Sequence, residues 1–223
     1  MHISPSNIAS IYGRLFRVWR AKRFQQFVRL LAPKDHETIL DIGGYPQTWT
    51  SHKPLGSSVT CLNLHAFGWD SSESPAHKIH LVVGDALCLP YPDKSFDVVF
   101  SNSVIEHVGL WAEQQAFARE VQRVGKKYWI QTPAFECPFE PHYLGLFVHW
   151  LPESLKPFAI KYFTLWSWLV RPTPAEFAEM SRTIRLIRGK EMQALFPDAR
   201  IITERLFGVF PKSYIAVHGA AET

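Results

Sequence analysis

Two carboxylate residues lie where a short apolar run gives way to a polar loop, a position that suits ligand binding. Asp85 follows the apolar run 79–83, and Asp41 lies near the end of an earlier run, just before Gly43 and Gly44. Glycines at the junction of a strand and a loop tolerate positive φ and admit a ligand that a Cβ would exclude. Ligands of open α/β sheets bind outside the carboxyl ends of the strands, so these residues predict a binding edge.

A third polar residue, Asn63, ends the apolar run 58–62 at a comparable position. It follows Asp41 by twenty-two positions, near the spacing at which nucleotide-binding sheets place a residue that contacts the ribose. An amide oxygen can accept a hydrogen bond from a ribose hydroxyl, although it lacks the charge that strengthens such a bond.

The elements that must position these residues alternate between strands and helices. Short β-branched apolar runs, typical of buried strands, occupy 38–42, 58–63, 79–83 and 96–101. The later pattern predicts a helix at 111–124, a strand at 126–131, a short helix at 191–196, and an antiparallel pair at 199–204 and 213–218. This alternation indicates βαβ crossovers and a parallel sheet, and therefore an α/β fold.

The middle of the chain resembles the class I S-adenosylmethionine-dependent methyltransferases, and among them the methyltransferase type 11-like domains. The resemblance lies in Gly84-Asp85-Ala86, in Leu89-Pro90, and in the runs 95–99 and 101–108, and it extends over about residues 36–134. It implies a Rossmann-like seven-stranded sheet that is mostly parallel, has an antiparallel last strand and is flanked by helices. Two features depart from the usual pattern: Tyr45-Pro46 replaces a third small residue, and Asn63 replaces an acid.

The resemblance implies S-adenosylmethionine as the cofactor and assigns roles to eight residues. Asp41, Gly43 and Gly44 would hold its amino-acid part, Asn63 the ribose, Asp85 and the Ala86 N–H the adenine, and Ser101 and Asn102 would line the methyl-transfer cavity. Each of these residues also has an ordinary structural role, because Asp41 can cap a turn and Ser101 or Asn102 can satisfy loop backbone.

Three histidines are candidates for a base that accepts a proton from a hydroxyl acceptor: His107, His142 and His149. For each of them a hydrogen-bonded packing role is the competing interpretation. We expect no metal site, because the spacing of His142 and His149 matches no short zinc motif and Cys137 is a lone thiol.

Two segments lie outside the cofactor motifs. In residues 1–35, basic and apolar positions alternate at helical spacing, which predicts helices that cover the sheet or the cofactor site. The alternative is that these helices contact a membrane surface. Residues 135–188 predict an aromatic-rich helical insertion after the fifth strand, which would serve as a substrate lid or as a small accessory core. Its apolar stretch 155–170 is too short to span a bilayer and would be buried or rest on a membrane.

The chain as a whole fits one domain over residues 1–223. Its three cysteines form no C-x-x-C pair, and the sequence shows no signal pattern or long apolar run. We therefore expect a cytoplasmic protein, with membrane association as the alternative. The formal net charge of +4 comes without a nucleic-acid-binding motif, so no nucleic acid is expected as a partner.

The sequence therefore predicts a methyltransferase acting on a small-molecule or lipid-like acceptor, with oxygen, nitrogen or carbon as the nucleophile. The alternative is a catalytically silent member of the fold that serves as a binding or scaffolding module. A nicotinamide-dependent oxidoreductase is disfavoured, because G-x-G-x-x-G is absent after the first strand.

Overall fold

The computed structural model describes residues 5–55, 58–69, 78–152, 154–173 and 184–220, with side chains from residue 18 onward. The strands are β1 Thr38–Ile42, β2 Ser58–Asn63, β3 Ile79–Val83, β4 Phe96–Asn102, β5 Gly125–Pro133, β6 Phe139–Glu140, β7 Gly145–Leu146, β8 Arg200–Leu206 and β9 Phe210–His218. The helices are α1 Pro5–Leu31, α2 Pro46–Thr50, α3 Trp111–Val124, α4 Lys156–Phe163, α5 Leu165–Val170 and α6 Gly189–Leu195. Short 3-10 turns occupy Ile105–His107 and Val148–Trp150.

Seven strands form one sheet in the order β3-β2-β1-β4-β5-β9-β8. Strands β1 to β5 pair in parallel, whereas β9 runs antiparallel to both of its neighbours, β5 and β8. The expected fold is thus confirmed: a Rossmann-like sheet, mostly parallel, with its last strand antiparallel and inserted beside β5. Since parallel strands end at the same edge, the residues that follow β1, β2, β3 and β4 are brought together there.

The central strands of the sheet are buried on both faces, whereas the edge strand β3, predicted as a buried strand, is largely exposed. Alternate side chains of one strand point to opposite faces. Leu40 and Ile42 of β1 pack into a cluster with α3 and α6. Ile39 packs on the other side, where Phe24 and Phe27 of α1 form edge-on ring contacts. The described part of α1 therefore covers one face of the sheet. The apolar positions predicted at its start, up to Phe16, lie outside the described side chains.

The insertion after β5 contains the β6–β7 hairpin, α4 and α5, while residues 174–183 lie outside the described residues. Four of its buried side chains form a small core of their own: Tyr143, Val148, Ala159 and Ile160. The apolar stretch 155–170 is divided at Thr164, whose extended backbone ends α4 and whose side chain caps α5. Within the described residues, every helix is too short or too polar to cross a bilayer.

Candidate active site

Hydrogen bonds from the loops after β1 and β3 to the end of β2 extend the pairing at the carboxyl edge of the sheet. Gly43 N donates to Leu62 O over 2.7 Å, and Gly84 N donates to Asn63 O over 3.0 Å. The side chain of Asn63 also contacts the glycine loop, because its Nδ2 donates to the carbonyl of Gly44 at 2.8 Å. The amide at position 63 thus ties the glycine loop to β2, which a carboxylate could not do for lack of a donor.

Asp41 is buried beneath the glycine loop, where its Oδ2 accepts a hydrogen bond from Trp49 Nε1 at 2.7 Å. Burial raises the pKa of Asp41 to about 7, and the bond from Trp49 opposes this rise only in part. A Cβ placed on Gly44 would lie 1.7 Å from Asp41 Oδ2. The small residue at position 44 therefore makes room for the chain's own carboxylate.

Gly43 has a different reason to be glycine. Its φ is +74°, and a Cβ there would lie 2.4 Å from Val104 Cγ2. The two residues that replace the usual small residue each have a structural position. Pro46 begins α2, and Tyr45 lies exposed against Phe67, with 4.9 Å between the ring centroids.

Asp85 follows β3 and is exposed, with Ala86 half-buried beside it. Its Oδ1 accepts a hydrogen bond from Leu87 N at 2.9 Å, closing a turn over Ala86. The carboxylate is therefore held in a defined position at the binding edge.

Ser101 and Asn102, at the end of β4, lie in different environments. Ser101 is fully buried, and its Oγ donates to the carbonyl of Ile42 at 3.1 Å, which joins β4 to β1. Asn102 Oδ1 is buried without a hydrogen-bond partner among the described residues, and so is Nε2 of Gln131 on the paired strand. An acceptor and a donor left open at neighbouring strand ends fit the polar groups of a bound ligand.

Two of the three candidate histidines come together. His107 lies in the 3-10 turn after β4, His142 follows β6, and their Nε2 atoms are 3.2 Å apart. His142 Nδ1 contacts Glu140 Oε1 at 2.6 Å. Burial lowers the pKa of His107 to about 4, with the positive charge of His142 acting in the same direction. For His142 burial also acts downward, but the bond and charge of Glu140 outweigh it and raise the pKa.

His107 and His142 line a cavity of about 310 Å³ beside the end of β4, together with Trp19, Arg20, Arg23, Ser103, Pro133, Cys137, Phe139, Pro141, Leu206 and Lys212. The basic side chains of this wall are organised by Glu204, which lies 2.8 Å from Arg23 Nε and 3.4 Å from Lys212 Nζ. Lys212 Nζ also lies 4.5 Å from the centre of the Trp19 ring. This wall was not foreseen, because it joins α1 to the last two strands and no local motif marks it.

His149 lies elsewhere. It lines a separate cavity of about 620 Å³, and its Nε2 lies 2.9 Å from the carbonyl oxygen of Phe135. The predicted histidine set is thus divided into a pair and a single residue. Glu106 and Glu140, which accompany the pair, were not identified from the sequence as members of a site.

The sheet is mostly parallel with an inserted antiparallel strand, and a glycine loop lies beside its polar strand ends. Open α/β sheets of this kind bind their ligands at that edge. Residues 40–128 match the family model described as a methyltransferase domain. Ajmaline N-methyltransferase of Rauvolfia serpentina is 41% identical over 59 residues, which are 26% of this chain and 19% of that protein. This chain therefore matches about a fifth of the length of that relative.

Two solved structures share the fold over nearly the whole chain. A SAM-dependent methyltransferase from Aquifex aeolicus has a TM-score of 0.52 and 17% identity, covering 97% of this chain and 99% of that one. The PH0226 protein from Pyrococcus horikoshii OT3 has a TM-score of 0.53 and 16% identity, covering 93% and 92%. Residues 40–128 therefore match a methyltransferase domain, and the chain has the fold of these two structures.

Proposed function

We propose that this protein transfers the methyl group of S-adenosylmethionine to a small-molecule or lipid-like acceptor bound in the 310 Å³ cavity beside β4. The observation that carries this proposal is the hydrogen-bonded series of Glu140, His142 and His107, which reaches the cavity wall. Paired, oriented imidazoles beside a cofactor edge suit a reaction in which the acceptor must lose a proton.

The cofactor would lie along the carboxyl edge of β1 to β4. Asp85 and the Ala86 N–H would recognise the adenine, Asn63 would face the ribose, and Gly43 and Gly44 would border the amino-acid part. The open acceptor on Asn102 Oδ1 supports polar contact near the end of β4. Since the reactive carbon belongs to the cofactor, these residues chiefly bind and orient it.

The remaining chemistry concerns the acceptor. Methyl transfer to oxygen or nitrogen forms a bond from the acceptor to carbon and breaks the sulfur–carbon bond, while one proton leaves the acceptor. His107 lies at the cavity wall with 42% of its side chain exposed, and His142 behind it is held by Glu140. A proton accepted by this pair would be stabilised by the buried carboxylate of Glu140.

The surface of the insertion supports a lipid-like acceptor. Large apolar side chains are exposed on α4, α5 and the neighbouring turn: Phe147, Phe158, Phe163, Leu165 and Trp168. Phe163 is 71% exposed and Trp168 78% exposed, and Lys156 and Lys161 lie on the same helical segment. Exposed aromatic side chains with basic residues in the same segment are typical of segments that rest on a membrane, and this contact is part of the proposal.

The membrane contact is tested by sedimentation with vesicles that contain anionic lipid. We expect the protein to sediment with them, and the pair of substitutions Phe163→Ser and Trp168→Ser to reduce the bound fraction severalfold. Leu64→Ser, at an exposed site after β2, is the matched control and should change little. Equal sedimentation of all three proteins would contradict the membrane contact.

The catalytic proposal is tested by following labelled methyl transfer from S-adenosylmethionine to a panel of hydroxyl, amine and lipid acceptors. His107→Ala should lower kcat by about a hundredfold to ten-thousandfold, the range expected for loss of an acid–base group, while the cofactor Kd stays the same. His149→Ala is the matched control and should change kcat only slightly. Tight cofactor binding without transfer to any acceptor would favour a silent binding module.

A further inference from the structure

Three side chains beside the cavity have potential metal-ligand atoms close to one another. Glu106 and His107 belong to the 3-10 turn after β4, and His142 follows β6. One ligand atom from each, a carboxylate oxygen or an imidazole nitrogen, lies within 4.8 Å of the other two. We propose that this group binds a divalent transition-metal ion through Nε2 of His107, Nε2 of His142 and the carboxylate of Glu106.

The separations between these atoms are close to those of a metal site. Two nitrogen ligands at the usual zinc distance in a tetrahedral site are about 3.3 Å apart. The two Nε2 atoms of His107 and His142 are 3.2 Å apart. Oε1 of Glu106 lies 4.0 Å from His107 Nε2, and the three ligand atoms lie within 4.8 Å of one another, so a side-chain shift of up to roughly 1.5 Å would complete the set.

The burial of Glu106 points independently to a cation. Its side chain is fully buried, and its Oε2 accepts a hydrogen bond from Thr132 Oγ1 at 3.0 Å. Its Oε1, which is the atom nearest His107, has no hydrogen-bond partner among the described residues. A buried carboxylate oxygen without a partner is unfavourable, and a bound cation would satisfy it.

Glu140 supplies the outer support that metal-binding histidines normally have. Its Oε1 contacts His142 Nδ1 at 2.6 Å, and its Oε2 accepts from Tyr143 N at 2.7 Å. A carboxylate that holds Nδ1–H fixes the imidazole tautomer and directs the lone pair of Nε2 outward. In this structure that lone pair faces His107 and the cavity.

The ligand types select the ion. Two imidazoles and one carboxylate suit Zn²⁺, Co²⁺ or Mn²⁺, whereas Mg²⁺ and Ca²⁺ prefer sites made of oxygen ligands. Three protein ligands leave further positions open, and the histidines line the cavity assigned to the acceptor. With both Nε2 lone pairs bound to it, such an ion would take the place of the histidine base, because it would polarise an acceptor hydroxyl and ease its deprotonation. Ion binding itself does not depend on the proposed methyl transfer.

The test is titration of the chelator-treated full chain with Co²⁺, followed by visible absorption, and with Zn²⁺, followed by calorimetry. We expect one equivalent to bind, with d–d bands that indicate nitrogen ligation. His107→Ala and His142→Ala should each weaken binding more than about a hundredfold, and Glu140→Gln about tenfold to a hundredfold, the usual cost of losing an outer partner.

Two controls define the site. His149→Ala removes a nearby histidine that belongs to a different cavity, and Cys137→Ser removes a buried thiol beside the site. Both should leave the stoichiometry and the Kd unchanged. If His142→Ala does not fold, as judged by circular dichroism, the partly exposed His107 supplies the decisive variant.

Absence of stoichiometric binding, or binding that persists in the His107→Ala protein, would overturn the ion proposal. This outcome is distinct from failure of the proposed function. Zn²⁺ binding without methyl transfer would support the ion site and contradict the catalytic proposal. Methyl transfer without ion binding would support the catalytic proposal and contradict the ion site.

Discussion

The carboxylate of Asp41 occupies the space that a side chain at position 44 would need, because a Cβ on Gly44 would fall 1.7 Å from Asp41 Oδ2. The two residues are joined further by α2, whose Trp49 donates to the same oxygen. The glycine loop, the buried acid and α2 therefore form one packed unit under the binding edge. A change in any member is expected to affect the others.

Gly44→Ala should destabilise the protein, because the buried carboxylate cannot move away without losing its bond to Trp49. Overpacking of this kind costs about 1–3 kcal/mol, which corresponds to a decrease in Tm of roughly 3–10 °C for a chain of this size. Thermal unfolding followed by circular dichroism measures the shift. Gly68→Ala is the matched control, since a Cβ there would meet no atom within 4 Å. Equal Tm values for the two variants would show that position 44 tolerates a side chain.

Asp41→Asn should change how stability depends on pH. Burial raises the pKa of Asp41 to about 7, whereas an unfolded chain ionises this group near pH 4. Between these values the folded state holds more protons, so the free energy of unfolding falls as pH rises from 4 to 7. Asp41→Asn has no group that titrates at this position. Its free energy of unfolding should therefore rise relative to that of the parent by up to about 4 kcal/mol between pH 4 and pH 7. Urea unfolding at several pH values measures the difference, and a constant difference would disprove an elevated pKa.

Asp85→Ala should weaken binding of S-adenosylmethionine by tenfold to a hundredfold. A hydrogen bond from the adenine amino group to a charged acceptor contributes about 1.5–3 kcal/mol once the bound cofactor covers the exposed carboxylate. Calorimetric titration gives the Kd. Asp85→Asn keeps an acceptor for Leu87 N and removes the charge, while Asp35→Ala, at an exposed position before β1, is the control. Unchanged affinity in Asp85→Ala would mean that the adenine lies elsewhere.

Much of the fold follows from the sequence for a clear physical reason. Strands buried on both faces must be continuously apolar, so β1, β2 and β4 stand out as short β-branched runs. Helix α3 was predicted at its observed bounds, because its apolar face repeats at helical spacing. The aromatic insertion lacked such periodicity, and its division at Thr164 depends on a local cap that composition does not reveal.

The site was less predictable because it depends on distant contacts. His107 and His142 are 35 positions apart and meet only when the β6–β7 hairpin packs beside the end of β4. Asp41 was expected at the edge, yet the structure buries it against Trp49, a contact that follows from the placement of α2. From the sequence, Asn63 was interpreted as replacing an acid that would contact the ribose. In the fold its amide group donates a hydrogen bond to the carbonyl of Gly44.

The ion pair between Arg23 and Glu204 joins positions 181 residues apart, on α1 and β8. During synthesis, the residues assigned to the cofactor leave the ribosome long before β8 does, because all of them lie between positions 41 and 102. Contacts between such distant positions form late, since the intervening loop must close first. The acceptor cavity therefore gains its basic wall only near the end of synthesis. An unfinished chain already contains the residues assigned to the cofactor but lacks the wall that would select an acceptor.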